Sequence, residues 1–191
     1  YVVFHSGANN YVTGDTNAVH DTFIYDLQTG TMQRASIASD GSQGATASWG
    51  GIASADGSRV VFESTANNLV DGDTNGVTDV FLRDQQAGTT RRLSVAADGT
   101  QGDLTTRKRW ISGDGRFVAL ESQATNLVPG DTNNQRDIFL LDLLSGELRR
   151  ISVAADGTQS NGESAYPQLS SDGRFAVFES TATNLVSQPT G

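Results

Sequence analysis

The apolar residues of this chain come in short runs separated by stretches rich in Gly, Asp, Ser, Thr and Asn. Such runs, with their β-branched and aromatic residues, are typical of β-strands, and no segment shows the period of about 3.6 residues that marks an amphipathic helix. Near the middle of the chain the pattern predicts four strands, two tight turns and one long polar loop: strands Trp49–Ser54, Arg59–Ser64, Asp79–Asp84 and Thr89–Ala96, turns Ser54–Gly57 and Gln85–Gly88, and loop Thr65–Thr78. These elements predict a small antiparallel sheet.

The same pattern recurs every 58 residues, as the positions of Phe62 and Phe4 show (62 − 4). Its clearest marker is the phrase E-S-[TQ]-A-[TN]-N-L-V, which occurs at Glu63–Val70, Glu121–Val128 and Glu179–Val186, with a weaker copy at His5–Val12. Repetition at a fixed spacing of this length indicates stacked supersecondary units, and four short strands per repeat predict the blades of a β-propeller. The whole chain is one repeat region, divided into repeats 1–58, 59–116, 117–174 and a partial repeat, 175–191.

The turn that follows the first strand of each repeat carries a recognisable motif. It reads S-A-D-G-S-R-V-V-F at 54–62, S-G-D-G-R-F-V-A-L at 112–120 and S-S-D-G-R-F-A-V-F at 170–178. These phrases resemble the S-x-D-G-R-x-[VI]-A-F pattern of WD40-like (PD40), TolB-type β-propeller repeats, over essentially the whole chain. The resemblance implies an all-β fold of four-stranded antiparallel blades. Members of this family serve as partner-binding platforms, as companion domains of proteases and as modules of lytic or hydrolytic enzymes.

Most of the positions that recur in this motif have a structural explanation. The aspartates are expected to hold the turn, the glycines to permit it, and the last residue of each phrase to fill the core between blades. These residues are Asp56, Asp114 and Asp172, then Gly57, Gly115 and Gly173, then Phe62, Leu120 and Phe178. We also expect three equivalent arginines, Arg34, Arg92 and Arg150, to form ion pairs with acidic groups of a neighbouring strand or blade. Their natural partners are three glutamates: Glu63, Glu121 and Glu179.

Composition and charge limit the kinds of partner and site that the chain can have. Asp outnumbers Glu 17 to 5, the formal net charge is −9 and the pI is about 4.5, which argues against a nucleic-acid partner. The chain has no Cys, which excludes disulfides and thiolate metal sites. No apolar run approaches the roughly 20 residues of a membrane-spanning helix. The first residue is Tyr rather than Met, as expected of a mature, processed or excerpted sequence. We expect an extracellular, cell-surface or periplasmic protein.

The long loop of each repeat carries candidate chemistry in the form of a D-x-N-x-x-x-D pattern. Alternate positions of a tight loop can direct several oxygen atoms at one centre, and hard oxygen donors favour Ca²⁺ over zinc or copper. We therefore predict up to three calcium sites. Their ligands would be side chains, one backbone carbonyl per loop, and an additional carboxylate in the middle copy: Asp15, Asn17, Val19 and Asp21; Asp71, Asp73, Asn75, Val77 and Asp79; Asp131, Asn133, Gln135 and Asp137.

Two alternatives to calcium remain open at this point. The Asp and Asn side chains can accept hydrogen bonds from the loop's own backbone, in a network of Asx turns that binds no metal. Another metal is the second alternative. The repulsion among several carboxylates within seven residues argues against a metal-free loop, because a bound cation would relieve that repulsion.

A catalytic centre is not apparent in the sequence. His5 and His20 are the only histidines, and Glu63 and Thr78 occupy their positions in the second repeat. No G-x-S-x-G, H-E-x-x-H or phosphate-binding glycine motif occurs. We therefore predict a protein that is not an enzyme. The basic and aromatic segment Arg107–Trp110 is either a docking patch or a divergent inner strand.

Three repeats and a partial one cannot close a propeller of four to eight blades. The chain is therefore a piece of a larger propeller, or copies of it associate through their repeat ends as a homo-oligomer or polymer. The leading hypothesis is a non-catalytic, calcium-stabilised structural or adhesive propeller that forms filaments. The alternatives are a TolB-like protein-interaction module and an accessory propeller domain of a secreted hydrolase.

Overall fold

The computed structural model describes residues 1–186, and within them the chain forms thirteen β-strands and no helix. The described residues accordingly contain no helix long and apolar enough to cross a membrane. The strands are β1 Val2–Ser6, β2 Asp21–Tyr25, β3 Met32–Arg34, β4 Ser48–Ala53, β5 Arg59–Ser64, β6 Asp79–Asp84, β7 Thr89–Arg92, β8 Thr106–Ile111, β9 Phe117–Ser122, β10 Asp137–Asp142, β11 Leu148–Arg150, β12 Ser164–Leu169 and β13 Ala176–Ser180.

The strands form four antiparallel sheets in which neighbours in sequence are neighbours in space. The two central sheets, β4-β5-β6-β7 and β8-β9-β10-β11, have the four strands predicted for a blade. Among the described residues, the first sheet has three strands, β1-β2-β3, and the last has two, β12-β13. Since β1, β5, β9 and β13 occupy the same position of the repeat, the first sheet holds strands two to four of the motif. The last sheet holds strands one and two.

The second and third strands of the second sheet have the predicted boundaries, and the first lies one residue earlier, at Ser48–Ala53 instead of Trp49–Ser54. The fourth strand differs more. That strand was predicted to reach Ala96 and instead ends at Arg92. Leu93 still donates its backbone N–H to the Val80 carbonyl at 2.8 Å, but the chain then turns, and the Val95 N–H bonds the Leu93 carbonyl at 2.9 Å. An isolated bridge between Val95 and Gln101 closes this turn. The extra residues therefore belong to the connection that leads into the next sheet.

The S-x-D-G turns have the structure expected of them. The Ser54 hydroxyl donates to Asp56 at 2.6 Å, and the same carboxylate accepts the Ser58 backbone N–H at 3.0 Å. These hydrogen bonds lower the pKa of Asp56, the Ser54 hydroxyl having the largest effect. Gly57 has φ of +69°, a conformation that residues with a Cβ rarely adopt. The turn is therefore fixed locally by its own side chains.

The hydrophobic core lies between successive sheets. Val61 and Val80 of the second sheet pack in one cluster with Val118, Leu120 and Phe139 of the third, all with no exposed surface. Smaller clusters join the first sheet to the second and the third to the last. Full burial of each such side chain is worth about 1.5–3 kcal/mol. Face-to-face packing of consecutive sheets is the arrangement of neighbouring propeller blades.

Leu120 lies in the core between two sheets, as predicted, whereas Phe62 packs in a cluster within its own repeat, with Leu69 and Phe81. Phe62 and Leu120 have no exposed surface, whereas Phe178 is only half-buried. The difference arises because β5 and β9 each lie between two strands of their sheet, while β13 has β12 as its one partner in the described residues.

Candidate functional site

The three D-x-N-x-x-x-D loops end at the start of the strand that occupies the third position of the repeat. The last aspartate of each loop is the first residue of β2, β6 or β10, and it is almost completely buried: Asp21, Asp79 and Asp137 are 0%, 1% and 0% exposed. A buried carboxylate requires a partner of opposite charge and several hydrogen-bond donors. The structure supplies both from the chain itself.

An arginine occupies the place at which the sequence predicts a metal ion. In the first loop the Nη1 atom of Arg34 lies 3.3 Å from Asp15 and 3.1 Å from Asp21. In the second, the Nη1 atom of Arg92 lies 2.9 Å from Asp73 and 3.6 Å from Asp79. One guanidinium therefore bridges two loop carboxylates. We call each such set, the arginine and its two aspartates, an Arg–Asp clasp.

The third clasp has the same geometry. The Nη1 atom of Arg150 lies 2.9 Å from Asp131 and 3.4 Å from Asp137. The arginine side chain is 10% exposed and the two aspartates 3% and 0%. All three clasps are thus shielded from solvent, which makes them stronger candidates for stabilisation than an ordinary surface ion pair.

The loop asparagines serve as hydrogen-bond donors to the buried aspartates. The amide nitrogen of Asn75 donates to Asp79 at 3.0 Å and to the Gly102 carbonyl at 3.0 Å. Its amide oxygen accepts the Val77 N–H at 3.3 Å, as in an Asx turn. Asn17 and Asn133 make the equivalent contacts, with the N–H groups of Val19 and Gln135 bound to their oxygens. The asparagine thus ties its loop to the connection between two sheets.

A serine completes the coordination of each buried aspartate. The hydroxyl of Ser94 donates to Asp79 at 2.5 Å, and that of Ser36 donates to Asp21 at 2.6 Å. Ser152 makes the corresponding bond to Asp137. The buried carboxylate is therefore surrounded by a guanidinium, an amide and a hydroxyl.

The electrostatics of the clasps follow from two carboxylates sharing one cation. Burial raises the pKa of Asp73, and the charge of Asp79 raises it further, while Arg92 opposes both effects. Burial likewise raises the pKa of Asp131 against the influence of Arg150. Each clasp carries a formal charge of −1 when both carboxylates are ionised, and its stability depends on the arginine.

This donor set does not fit a calcium ion in the predicted form. The loop asparagine directs its nitrogen at the carboxylate, and the carboxylates already bind the arginine. Asp71, the predicted additional ligand, lies exposed. Across residues 1–186, no group of three or more His, Asp or Glu side chains is arranged to hold a metal. Calcium binding stays a prediction, and the geometry favours the metal-free alternative with its Asx turns.

The sequence did not assign the arginines to these clasps. The arginines were expected to pair with acidic groups of a neighbouring strand or blade, and they do, but the partners are the loop aspartates rather than the glutamates named as natural partners. The antiparallel register explains this: Arg34 lies opposite Phe23, two residues from Asp21 on the same side of the sheet. Knowledge that residue 34 pairs with residue 23 would have been enough to place Arg34 next to Asp21.

The expected glutamates have other partners. Arg109 of β8 binds Glu63 of the preceding sheet at 2.5 Å, and Arg136 binds both Glu121 and Glu163. The Arg109 side chain is 13% exposed. The segment Arg107–Trp110 is therefore part of an inner strand whose arginine joins two sheets.

The two histidines lie next to each other, His5 in β1 and His20 just before β2. The ring centroids of His5 and His20 are 5.8 Å apart, and the Nδ1 atom of His5 accepts the backbone N–H of Gly50 at 3.3 Å. Their counterparts in the third repeat are Glu121 and Arg136, which form an ion pair. Glu63, the counterpart of His5 in the second repeat, likewise contacts the following sheet, through Arg109.

The four antiparallel sheets and the repeated contacts between them are those of consecutive β-propeller blades. Among solved structures, the chain is similar to the putative TolB of Agrobacterium tumefaciens, with a TM-score of 0.52, 17% sequence identity, and coverage of 84% of this chain and 47% of that one. It is also similar to oligogalacturonate lyase of Vibrio parahaemolyticus (TM-score 0.52, 13% identity, 88% of this chain and 41% of that one).

A third similar structure is dipeptidyl peptidase 4 of Porphyromonas gingivalis, with a TM-score of 0.53, 14% identity, and coverage of 85% of this chain and 25% of that one. At these identities the similarity shows the propeller fold, TolB-type propellers included, and not a shared activity. The chain spans less than half the length of each of the three. No family model and no curated protein sequence matches it.

Proposed function

We propose that this chain is a protein-binding β-propeller segment that acts outside the cytoplasm and has no catalytic role. The observation that carries the proposal is a groove between the second and third sheets, with a cavity volume of about 700 Å³. Its exposed lining is mainly apolar and includes Ala97, Val128, Pro129, Leu148 and Val153, together with Arg149 and Arg150. A concave apolar surface with a few polar groups is the usual form of a binding site.

The position of the groove supports a binding role. It is bounded by the long loop of the third sheet and by the connection that follows β7, so backbone segments of two repeats contribute to it. The Arg–Asp clasps anchor both kinds of segment. Arg92 bonds Gln101 at 3.0 Å in the connection, while Arg150 binds the long-loop residue Asp131 at 2.9 Å. A pre-formed groove loses little conformational entropy when a partner binds.

The proposal is tested by comparing captured proteins between matched variants. The wild-type chain, an Ala97→Glu/Pro129→Glu variant and a Leu144→Glu control are each used to capture cross-linked partners from envelope and secreted fractions. Ala97 and Pro129 are exposed at the groove, whereas Leu144 is 79% exposed in the turn between β10 and β11. We expect a partner that is retained by the control and lost by the groove variant. Equal capture by all three chains refutes the proposal.

A second candidate is an accessory propeller domain of a secreted hydrolase. It is favoured by the similarity to dipeptidyl peptidase 4, of which the chain covers only 25%. The complete reading frame tests it, because a catalytic domain in the same chain is expected. The calcium-stabilised structural or adhesive role remains a prediction from the sequence alone.

A further inference from the structure

The groove proposed as a binding site lies at one of two equivalent junctions between sheets. The first junction joins the first and second sheets, and the second junction, which holds the groove, joins the second and third. Since the repeat has a constant length of 58 residues, each residue of the first junction has a counterpart in the second. The first junction therefore serves as an internal reference for the second.

In the first junction, side chains of the protein itself close the space beside β7. Ser39, in the connection that follows β3, accepts the backbone N–H of Thr90 at 2.9 Å and donates its hydroxyl to the Thr90 carbonyl at 3.3 Å. The Thr90 hydroxyl donates to the Ile37 carbonyl at 2.5 Å and accepts a hydrogen bond from Arg83 at 3.2 Å. Thr90 is only 6% exposed. The backbone groups of this edge residue are thus satisfied within the chain.

The second junction lacks the polar side chains that close the first. At four positions a polar residue of the first junction has an apolar counterpart in the second: Ser39 and Ala97, Arg83 and Leu141, Thr90 and Leu148, Asp71 and Pro129. Three of the apolar residues line the groove, and Leu141 lines a smaller cavity of about 210 Å³ that shares Ala97 and Leu148 with it. An open apolar groove therefore lies where side-chain hydrogen bonds close the first junction.

The groove contains an edge of the third sheet with free backbone groups. The backbone groups of Glu147 and Ile151, which flank β11, bond β10 at 3.0 and 2.8 Å. Alternate residues of an antiparallel strand face opposite ways, so Leu148 and Arg150 direct their N–H and C=O groups away from β10. Within residues 1–186, no group of the chain bonds the backbone N–H or C=O of Leu148. The groove thus offers both a donor and an acceptor.

These groups identify the occupant by its chemistry. An extended peptide presents N–H and C=O groups along one side at every second residue, which complements the edge formed by Leu148 and Arg150. A helix does not, because its backbone groups are bonded within the helix. At the first junction, a segment of the chain already bonds the equivalent edge through both groups, at Ser39. An extended segment with apolar side chains therefore matches both the edge and the walls.

We propose that the groove binds an extended, apolar segment of a partner protein, which adds to the third sheet as a fifth strand beside β11. This binding mode rests on the protein-binding function proposed for the groove and specifies the contacts that hold the partner. The added strand bonds the N–H and C=O groups of Leu148 and places apolar side chains against Ala97 and Pro129. The second sheet offers no equivalent position, because Ser39 already bonds Thr90.

Amide hydrogen exchange, followed by NMR, tests the free edge in the protein without a partner. The amide of Leu148 should exchange at least about tenfold faster than that of Thr90, because only the second is hydrogen-bonded. A bound peptide should then slow the exchange of Leu148. A Leu148 amide that is as protected as that of Thr90 in the free protein overturns the proposal.

Binding is measured with peptides of about ten residues, the upper length of common strands, selected on the wild-type chain from a random phage-displayed library. Leu148→Pro removes the outward N–H without removing a bond to β10, while Leu148→Ala keeps this N–H and serves as the matched control. We expect the selected peptides to bind Leu148→Pro at least about fivefold more weakly than Leu148→Ala, the loss of one net hydrogen bond.

A second variant tests the same edge from the opposite wall of the groove. Ala97→Ser/Leu148→Thr restores the residues that close the first junction, so the edge should be occupied and peptide binding lost. This variant decides the question if Leu148→Pro does not fold. Methylation of alternate amide nitrogens of a selected peptide should abolish binding in one register and spare it in the other, because only one side of the peptide faces β11.

Failure of the added strand is distinguishable from failure of the groove as a protein-binding site. If the peptides bind Leu148→Pro as tightly as Leu148→Ala but are lost from Ala97→Glu/Pro129→Glu, the groove is a binding site and the added strand is refuted. If every selected peptide still binds Ala97→Glu/Pro129→Glu, the added strand is refuted as well. The capture of proteins by the groove variants then decides the proposed function by itself.

Discussion

Removal of one clasp arginine should destabilise the protein far more than removal of an exposed one. In Arg92→Met, two carboxylates that are 6% and 1% exposed, Asp73 and Asp79, lose the guanidinium that bridges them. Loss of one partner of a buried ion pair costs about 3–5 kcal/mol. For a chain of this size, that corresponds to a fall in melting temperature of about 6–20 °C.

The matched control is Arg116→Met. Arg116 forms an ion pair with Asp142 at 2.7 Å, but its side chain is 47% exposed, and exposed pairs contribute about 0–1 kcal/mol. Thermal and urea unfolding of both variants, followed by circular dichroism, measures the difference. If Arg92→Met costs no more than Arg116→Met, the clasps do not stabilise the fold and the reasoning is refuted.

The pH dependence separates an electrostatic cause from lost packing. Burial already raises the pKa of Asp73, so its contribution to stability is present below the unfolded pKa and is lost as pH rises through the higher folded pKa. Without Arg92 this pKa should rise further. The stability deficit of Arg92→Met relative to wild type should therefore be smaller at about pH 4 than at pH 7. A deficit independent of pH would indicate lost packing.

Three other predictions concern the turns and the loops. Gly173→Ala should cost about 1–3 kcal/mol more than Gly72→Ala in urea unfolding, since both glycines have positive φ but only a Cβ on Gly173 would meet a neighbour, the Phe117 ring at 2.4 Å; equal costs would contradict the packing of this ring on the turn. Hydrogen bonds lower the pKa of Asp114, chiefly from Ser112, so its stabilisation should be lost as pH falls below about 4, and Asp114→Asn should unfold with a shallower acid dependence than wild type. EDTA should leave the melting temperature unchanged, because an arginine already bridges the two loop carboxylates; a clear fall would establish the calcium sites predicted from the sequence.

The sequence predicted those features of the fold that depend on local patterns. The limits of β5 and β6 follow from compact β-branched and aromatic runs. The turn at Asp56 and Gly57 follows from an aspartate that caps its own backbone and a glycine that permits positive φ. These are interactions between residues a few positions apart, so they can be recognised without knowledge of the tertiary structure.

The candidate site depended on non-local geometry and was predicted only in part. The loop residues Asp73 and Asp79 do lie together, but the cation between them comes from β7, thirteen positions beyond Asp79. Its identification requires the register of β6 and β7. The positive φ of Tyr166 was similarly hidden, because the bulge depends on the pairing of β12 with β13.

The central claim is that arginines of the chain itself, rather than a metal ion, bridge the buried carboxylates of the long loops. Native mass spectrometry of the protein, purified in the presence of calcium, counts the ions that stay bound to the folded chain. The account predicts a mass of 20.2 kDa per chain without bound calcium. A stoichiometric calcium adduct would contradict the clasps as the cation of the loops.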